Sequence, residues 1–102
     1  MLLLNESYNK RIRIKGGKSM YPKIVSISPN DDYTLLVTFS DKKTKLYDMN
    51  PLLQKSPFDQ LKDKNLFFSV QVDVGGYGIS WNDFIDLSEY ELYVNSKEVA
   101  TI

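Results

Sequence analysis

The sequence predicts an α+β domain with a mostly antiparallel sheet of about five short strands and two or three short helices. Three observations support this prediction. Several short segments alternate apolar and polar side chains with the two-residue period of a strand. Turn-forming residues separate those segments at short intervals, which favours antiparallel pairing of neighbours. A helix-capping sequence near the carboxyl end predicts a helix after the strands.

The first half of the chain predicts three strands in a meander. Residues 24–27 form a short β-favouring run, and the turn sequence at 29–32 ends it. Residues 33–39 alternate most clearly, with Tyr, Leu, Val and Phe on one face. After a polar turn at 40–43, residues 44–48 resume as the third strand.

The second half mixes helical and extended signals. Asn50-Pro51 and Ser56-Pro57 each place a capping residue before a proline, which predicts two short helical turns. Residues 66–72 are rich in Leu, Phe and Val and predict a fourth strand. Gly75-Gly76 predicts a hairpin turn into a fifth strand at 77–81.

The last predicted element is a helix over residues 89–94. Ser88-Glu89-Tyr90-Glu91 matches the S-x-x-E capping box, in which the serine side chain accepts from the backbone three residues later. Asn95 is a residue type that commonly ends a helix.

Composition restricts the chemistry that the chain can perform. The sequence has no cysteine and no histidine, which excludes thiol nucleophiles, disulfides and every histidine-based catalytic triad. With 42% hydrophobic and 13% aromatic residues in 102, the chain has enough material for one core. We expect no cofactor and no enzymatic activity.

Charge divides the chain into two parts. Residues 1–19 carry five basic side chains against Glu6, a net charge of +4, and residues 20–102 carry −4. Residues 1–19 are interpreted as a basic leader and 20–102 as the single domain. The leader is either a phosphate-contacting arm or an addition upstream of a start at Met20. Its basic residues are Lys10, Arg11, Arg13, Lys15 and Lys18.

Two glycine motifs do not match nucleotide-binding patterns. Gly17-Lys18-Ser19 resembles the end of a phosphate-binding loop, but Ile12 occupies the position of the required first glycine. Gly75-Gly76-Tyr77-Gly78 lacks the dinucleotide spacing and fits a hairpin turn. No stretch approaches the roughly 20 apolar residues of a membrane span, and the expected location is the cytoplasm.

A few polar and aromatic residues are candidates for function. Asp73, Asp83 and Asp86 are the carboxylates that could gather into an acid/base or hard-metal site, although Asp86 also suits a turn before the last helix. Trp81 is in phase with the fifth strand and is interpreted as core, with a binding hot spot as the alternative.

Tyrosine is abundant, and the strands cannot bury every copy. An exposed aromatic surface would favour contact with another protein. The tyrosines concerned are Tyr33, Tyr47, Tyr77, Tyr90 and Tyr93.

An ordered set of motifs runs over about four-fifths of the chain, from about Met20 to Val94. Its members are Tyr33-Thr34-Leu35-Leu36-Val37-Thr38-Phe39-Ser40-Asp41, Tyr47-Asp48-Met49-Asn50-Pro51-Leu52-Leu53, Pro57-Phe58 with Leu61, Phe67 or Phe68 with Val70, and Ile79-Ser80-Trp81-Asn82-Asp83-Phe84-Ile85-Asp86-Leu87 before Leu92-Tyr93. This order and spacing resemble the bacterial family DUF2442, a domain of unknown function. The chain departs from the family at Lys42 and at Phe84-Ile85, two turn positions where the family usually or often has glycine.

The resemblance implies an α+β fold and no established enzymatic activity. Some longer family members look like this module joined to a helix-turn-helix DNA-binding domain, and small stand-alone members resemble components of proposed toxin–antitoxin pairs.

Three functional hypotheses follow, together with homo-oligomerisation through a sheet edge. The first is a non-enzymatic binding or regulatory module for another protein, as one half of a bacterial two-protein system. The second is nucleic-acid contact through residues 10–18. The third is a carboxylate-only metal enzyme that uses Asp73, Asp83 and Asp86.

Overall fold

A computed structural model describes residues 21–99, which form two antiparallel sheets and two short α-helices. The basic leader at residues 1–19 lies outside the described residues. In chain order the elements are β1 (Ile24–Pro29), β2 (Thr34–Phe39), β3 (Thr44–Asp48), α1 (Lys64–Phe67), β4 (Gln71–Val72), β5 (Gly78–Asn82), β6 (Ile85–Ser88), α2 (Glu89–Asn95) and β7 (Lys97–Glu98). The α+β class is confirmed, but residues 21–99 contain seven strands in two sheets instead of about five in one.

The first sheet has the strand order β1-β2-β3-β7 and contains the predicted meander. Leu35, Val37 and Phe39 of β2 are fully buried, as the alternation predicts. On the same face Leu35 pairs with Tyr47, and Val37 pairs with Lys45 of β3. The register therefore directs a lysine toward the core, and the packing around it must satisfy that charge.

The prediction of a strand over residues 66–72 is wrong for its first part. Residues Lys64–Phe67 form α1, and only Gln71–Val72 pair as β4. The Asp63 carboxylate caps the helix by accepting from the Asn65 backbone N–H at 3.0 Å. A capped turn buries Phe67 completely, so the local cap and the core override the β preference of the Leu-Phe-Phe run.

The two proline-led turns are 3₁₀ helices. Asn50–Gln54 buries Leu53, and Phe58–Lys62 buries Leu61. Each segment contributes one apolar side chain to the core. The two helical turns are confirmed, but Asn50 and Ser56 do not cap them, because the N-cap residues are Met49 and Pro57 and neither turn has a side-chain cap hydrogen bond.

The second sheet has the order β4-β5-β6. The predicted fifth strand is β5, while the sequence did not predict β6 or β7. A polar turn joins β5 to β6, because the side-chain oxygen of Asn82 accepts from the backbone N–H groups of Phe84 and Ile85 at 2.8 and 3.0 Å.

Helix α2 confirms the capping prediction. The Ser88 hydroxyl accepts from the Glu91 backbone N–H at 3.1 Å, and the helix continues to Asn95. Its buried Leu92 joins the core that both sheets share. No helix within residues 21–99 is long and apolar enough to cross a membrane.

The β2–β3 turn places a lysine in the left-handed region of backbone space. Lys42 has φ 74°, and its N–H donates to the Phe39 carbonyl at 2.9 Å. A side chain with a Cβ is strained at this φ, whereas glycine is not. This strain explains why the family that the chain resembles usually has glycine at this position.

We expect Lys42→Gly to stabilise the protein by about 0.5–1 kcal/mol, because relief of left-handed strain exceeds the added entropy of the unfolded chain. Urea unfolding would measure the change. Lys55→Gly is the matched control, since exposed Lys55 has φ −125°, a value that any residue adopts. It should be neutral or destabilise by about 0.5 kcal/mol. Equal changes in the free energy of unfolding for Lys42→Gly and Lys55→Gly would contradict the strain assigned to the φ of Lys42.

Candidate interaction surface

Trp81 is part of the core, as its phase in β5 predicts. Its side chain is 8% exposed, and its ring stacks on Phe67 with centroids 6.4 Å apart. The indole N–H donates to the Phe67 carbonyl at 2.9 Å. This bond satisfies a buried donor and fixes α1 against β5.

The three candidate carboxylates do not form one cluster. Asp73 accepts a hydrogen bond from the Ser80 hydroxyl at 2.7 Å, and Ser80 pairs across the sheet with Asp86. Asp83 lies in the β5–β6 turn. Within the part of the chain that the structure describes, no group of three or more His, Cys, Asp or Glu residues could hold a metal ion. The structure thus brings Asp73 and Asp86 to the two sides of Ser80 and leaves Asp83 apart.

The tyrosines divide into buried and exposed members. Tyr47 is buried, Tyr33 and Tyr93 are half-buried, and Tyr77 and Tyr90 are exposed. The prediction that they cannot all be buried is confirmed. Their different environments show which tyrosines support the fold and which are accessible.

Tyr47 links β3 to α2. Its hydroxyl donates to the Glu91 carboxylate at 2.8 Å. Burial raises the pKa of Tyr47 far above the ordinary value of 10, and the negative charge of Glu91 raises it further. The phenol therefore remains a neutral donor, and Glu91 is occupied by an interaction within the protein.

Lys45 donates a hydrogen bond to a backbone carbonyl in the last turn of α2. Its ammonium group donates to the Tyr93 carbonyl at 2.7 Å and lies 3.7 Å from the centroid of the Tyr93 ring. The last carbonyls of a helix lack intrahelical partners and favour a nearby cation. This contact explains how a lysine that is only 9% exposed is accommodated on the core face of β3.

Two polar contacts extend this network at the edge of the first sheet. The Tyr93 hydroxyl donates to Asp41 at 2.7 Å, and the Lys43 ammonium lies 2.7 Å from Glu98. The hydrogen bond from Lys43 lowers the pKa of the Glu98 carboxyl, and the same contact raises the pKa of Lys43. These groups stabilise the junction between β3, α2 and β7.

An exposed aromatic and aliphatic surface lies beside this network, and we call it the tyrosine surface. Two tyrosines and one valine define it: Tyr77, Tyr90 and Val94. Their exposed fractions are 39%, 45% and 47%, respectively.

Tyr21 and Lys23 connect the members of the tyrosine surface. The Tyr21 ring packs edge-on against Tyr90, with centroids 5.0 Å apart. The Lys23 ammonium lies 4.6 Å from the centroid of the Tyr77 ring and donates to the Tyr21 carbonyl at 3.4 Å. Val94 follows Tyr90 by four positions in α2 and therefore shares its helix face.

A glycine turn positions Tyr77. Gly75 and Gly76 have φ values of +84° and +77°, and a Cβ on Gly75 would lie 2.7 Å from the Tyr77 ring. A Cβ on Gly76 would lie 2.5 Å from the Ile24 carbonyl oxygen. The Tyr77 carbonyl also accepts from the Glu89 N–H at 2.9 Å, so the turn lies directly against the start of α2.

Sequence reasoning found only part of the tyrosine surface. It named Tyr77 and Tyr90, but it missed Val94 and the connecting residues Tyr21 and Lys23. The exposure of Val94 depends on how Tyr47 and Lys45 orient α2, which the local sequence does not specify.

Comparison with known proteins places the chain in one protein family. A family model described as a protein of unknown function, DUF2442, matches residues 24–98. No curated protein and no solved structure matches the chain significantly. The match confirms the resemblance seen in the motifs and covers both sheets and both α-helices.

We expect Tyr47→Phe to destabilise the protein by about 1–2 kcal/mol near neutral pH, because the Glu91 carboxylate loses its donor. This cost should shrink as the pH rises above the ordinary tyrosine pKa of 10. There the unfolded wild-type chain releases the Tyr47 proton while the folded chain retains it, so the free energy of unfolding of the wild type falls. The variant has no hydroxyl at position 47 and does not show this fall. Urea unfolding across this pH range measures the effect.

Glu91→Gln is the control for the alkaline effect. It removes the carboxylate but keeps the Tyr47 hydroxyl buried, and burial is the larger cause of the raised pKa. This variant should keep most of the alkaline loss of stability. An alkaline loss in Tyr47→Phe as large as that of the wild type would contradict the assignment to Tyr47.

Proposed function

We propose, since the chain belongs to the DUF2442 family of proteins of unknown function, that it is a non-enzymatic binding module whose tyrosine surface holds another protein. The observation that carries this proposal is the exposure of Tyr77, Tyr90 and Val94 as connected neighbours on a domain that has a filled core. Exposed tyrosines are favoured at protein interfaces, because each gives a large rigid contact area and a polar tip.

The positions of the ionisable groups support a binding role over catalysis. Glu91 receives the Tyr47 hydroxyl, Lys45 caps α2, and Asp73 receives the Ser80 hydroxyl. Each of these contacts joins secondary-structure elements, which is the role expected of structural groups. The sequence also lacks histidine and cysteine, the usual proton shuttle and thiol nucleophile.

In its finer form, the proposal is that the chain is the neutralising or regulatory half of a bacterial two-protein system. This part depends on the family resemblance, in which small members look like components of such pairs. The nucleic-acid hypothesis depends on residues 10–18, which lie outside the described residues, and it is tested as a separate outcome below.

We expect the double substitution Tyr90→Ser and Val94→Ser to weaken partner binding by about tenfold or more, since loss of each interface anchor commonly costs over 1 kcal/mol. The tagged full chain is expressed in its own organism, and the proteins recovered with it are compared quantitatively between wild type and variant. The recovered partner is then purified, and its affinity for both chains is measured by calorimetry.

Phe84→Ser is the matched control, because Phe84 is 81% exposed and lies beyond the other end of β5, roughly 20 Å from Tyr77 along the strand. It should leave partner recovery unchanged. Thermal unfolding checks that all variants fold. A chain that is a lone monomer at its cellular concentration, or a partner equally well bound by all variants, would overturn the proposal. Recovery that depends on nucleic acid and is unchanged in the double variant would favour the nucleic-acid hypothesis instead.

A further inference from the structure

The described chain begins on the tyrosine surface. The ring of Tyr21, its first residue, packs edge-on against Tyr90 with centroids 5.0 Å apart and lies 6.0 Å from the Tyr93 ring. Lys23, whose ammonium lies over the Tyr77 ring, donates to the Tyr21 carbonyl. Because consecutive Cα atoms are about 3.8 Å apart, residue 19 is covalently held within about 8 Å of Tyr21. The basic leader is therefore attached at the surface itself.

The sequence of the leader alternates apolar and basic side chains. Residues 11–15 read Arg-Ile-Arg-Ile-Lys, and successive side chains of an extended segment point to opposite sides. Such a segment has Ile12 and Ile14 on one face and three basic side chains on the other. Gly16-Gly17 follows, a pair that favours a turn of the backbone. The chain can thus reverse direction between the isoleucines and Tyr21.

The exposed part of α2 is within reach of these isoleucines. Seven residues separate Ile14 from Tyr21, and an extended chain of that length spans at most about 25 Å. Tyr90 is already in contact with Tyr21. Val94 follows Tyr90 by four helical positions, a rise of about 6 Å along α2. A turn at Gly16-Gly17 therefore places both targets well inside the span.

Attachment favours the leader over a separate molecule as the occupant. A separate molecule loses translational and rotational freedom when it binds, whereas a segment on a short linker has an effective concentration on the order of 1 mM. Isoleucine side chains over Tyr90 and Val94 would remove apolar area from water. The basic side chains of residues 11–15 would point away into water, so the Lys23 cation within the surface does not oppose this contact.

We propose that the leader is an autoinhibitory segment, in which Ile12 and Ile14 cover Tyr90 and Val94 and compete with the partner protein. The competition rests on the proposed function, whereas the contact itself does not. With an effective concentration of about 1 mM and an intrinsic Kd of about 0.1 mM, the leader reduces the apparent affinity of the partner about tenfold.

A spin label tests the contact. The sequence has no cysteine, so Lys15→Cys gives the full chain a single thiol for a nitroxide. The label should broaden the amide NMR signals of residues 90 and 94, and the added substitutions Ile12→Ser and Ile14→Ser should abolish most of this broadening. Arg11→Ser with Arg13→Ser is the matched control, because it changes the opposite face of the segment and should retain the broadening.

Two results of this experiment would overturn the proposal. Equal broadening with and without the isoleucines would show that attachment alone brings the label near α2. Isotope-labelled chain without a nitroxide is also mixed with spin-labelled chain that carries no isotope. Broadening of residue 90 in that mixture would assign the contact to the leader of a second copy.

Partner affinity tests the competition. The partner recovered in the cellular experiment should bind the variant Ile12→Ser, Ile14→Ser about tenfold more tightly than the wild type, and the arginine control should match the wild type. Calorimetry measures the three affinities, and equal values would overturn autoinhibition. Absence of any partner would reject the proposed function and the competition with it, while broadening that depends on the isoleucines would still establish the contact.

Discussion

The bond from the Lys45 ammonium to the Tyr93 carbonyl is the constraint on which the arrangement of α2 depends. The β2–β3 register directs Lys45 to the core face of the sheet beside Val37, where an unsatisfied charge would be costly. The end of α2 has carbonyls that need donors. Each element therefore supplies what the other lacks, and their contact at 2.7 Å holds the last turn of α2 against β3.

A second contact then fixes the rotation of α2. The Tyr47 hydroxyl holds Glu91 at 2.8 Å, while Leu92 is fully buried. With these two side chains directed inward, Tyr90 and Val94 are directed away from the core. The glycine turn brings Tyr77 to the same region, because its carbonyl accepts from the first residue of α2. The exposed tyrosine surface is thus a consequence of buried polar contacts behind it.

Local sequence signals predicted β1, β2, β3, β5 and α2, whose alternation or capping is contained within each segment. They failed at the start of the strand predicted over residues 66–72. There the Leu-Phe-Phe run has no clear period, and the Asp63 cap and the contact of Phe67 with Trp81 decide the outcome. Strand β6 does alternate Ile85 and Leu87 with Asp86 and Ser88, but Asp86 also suits a turn before α2. Strand β7 has two residues, too few for a pattern. The tyrosine surface was only partly predictable, because the burial of Tyr47 and the exposure of Tyr90 depend on long-range packing, such as the bond from Tyr47 to Glu91, that the local sequence does not specify.

Charged side chains from both halves of the domain support the fold. Lys45, Lys43 and Lys64 each contact an acceptor or ring of this same chain, so these three side chains serve the architecture. The stretch from residue 65 to 96 has no such cations of its own. Two of its carboxylates also join elements of the fold, since Asp73 receives the Ser80 hydroxyl and Glu91 receives the Tyr47 hydroxyl. The exposed faces of Tyr77, Tyr90 and Val94 therefore offer mainly aromatic and apolar area to another molecule.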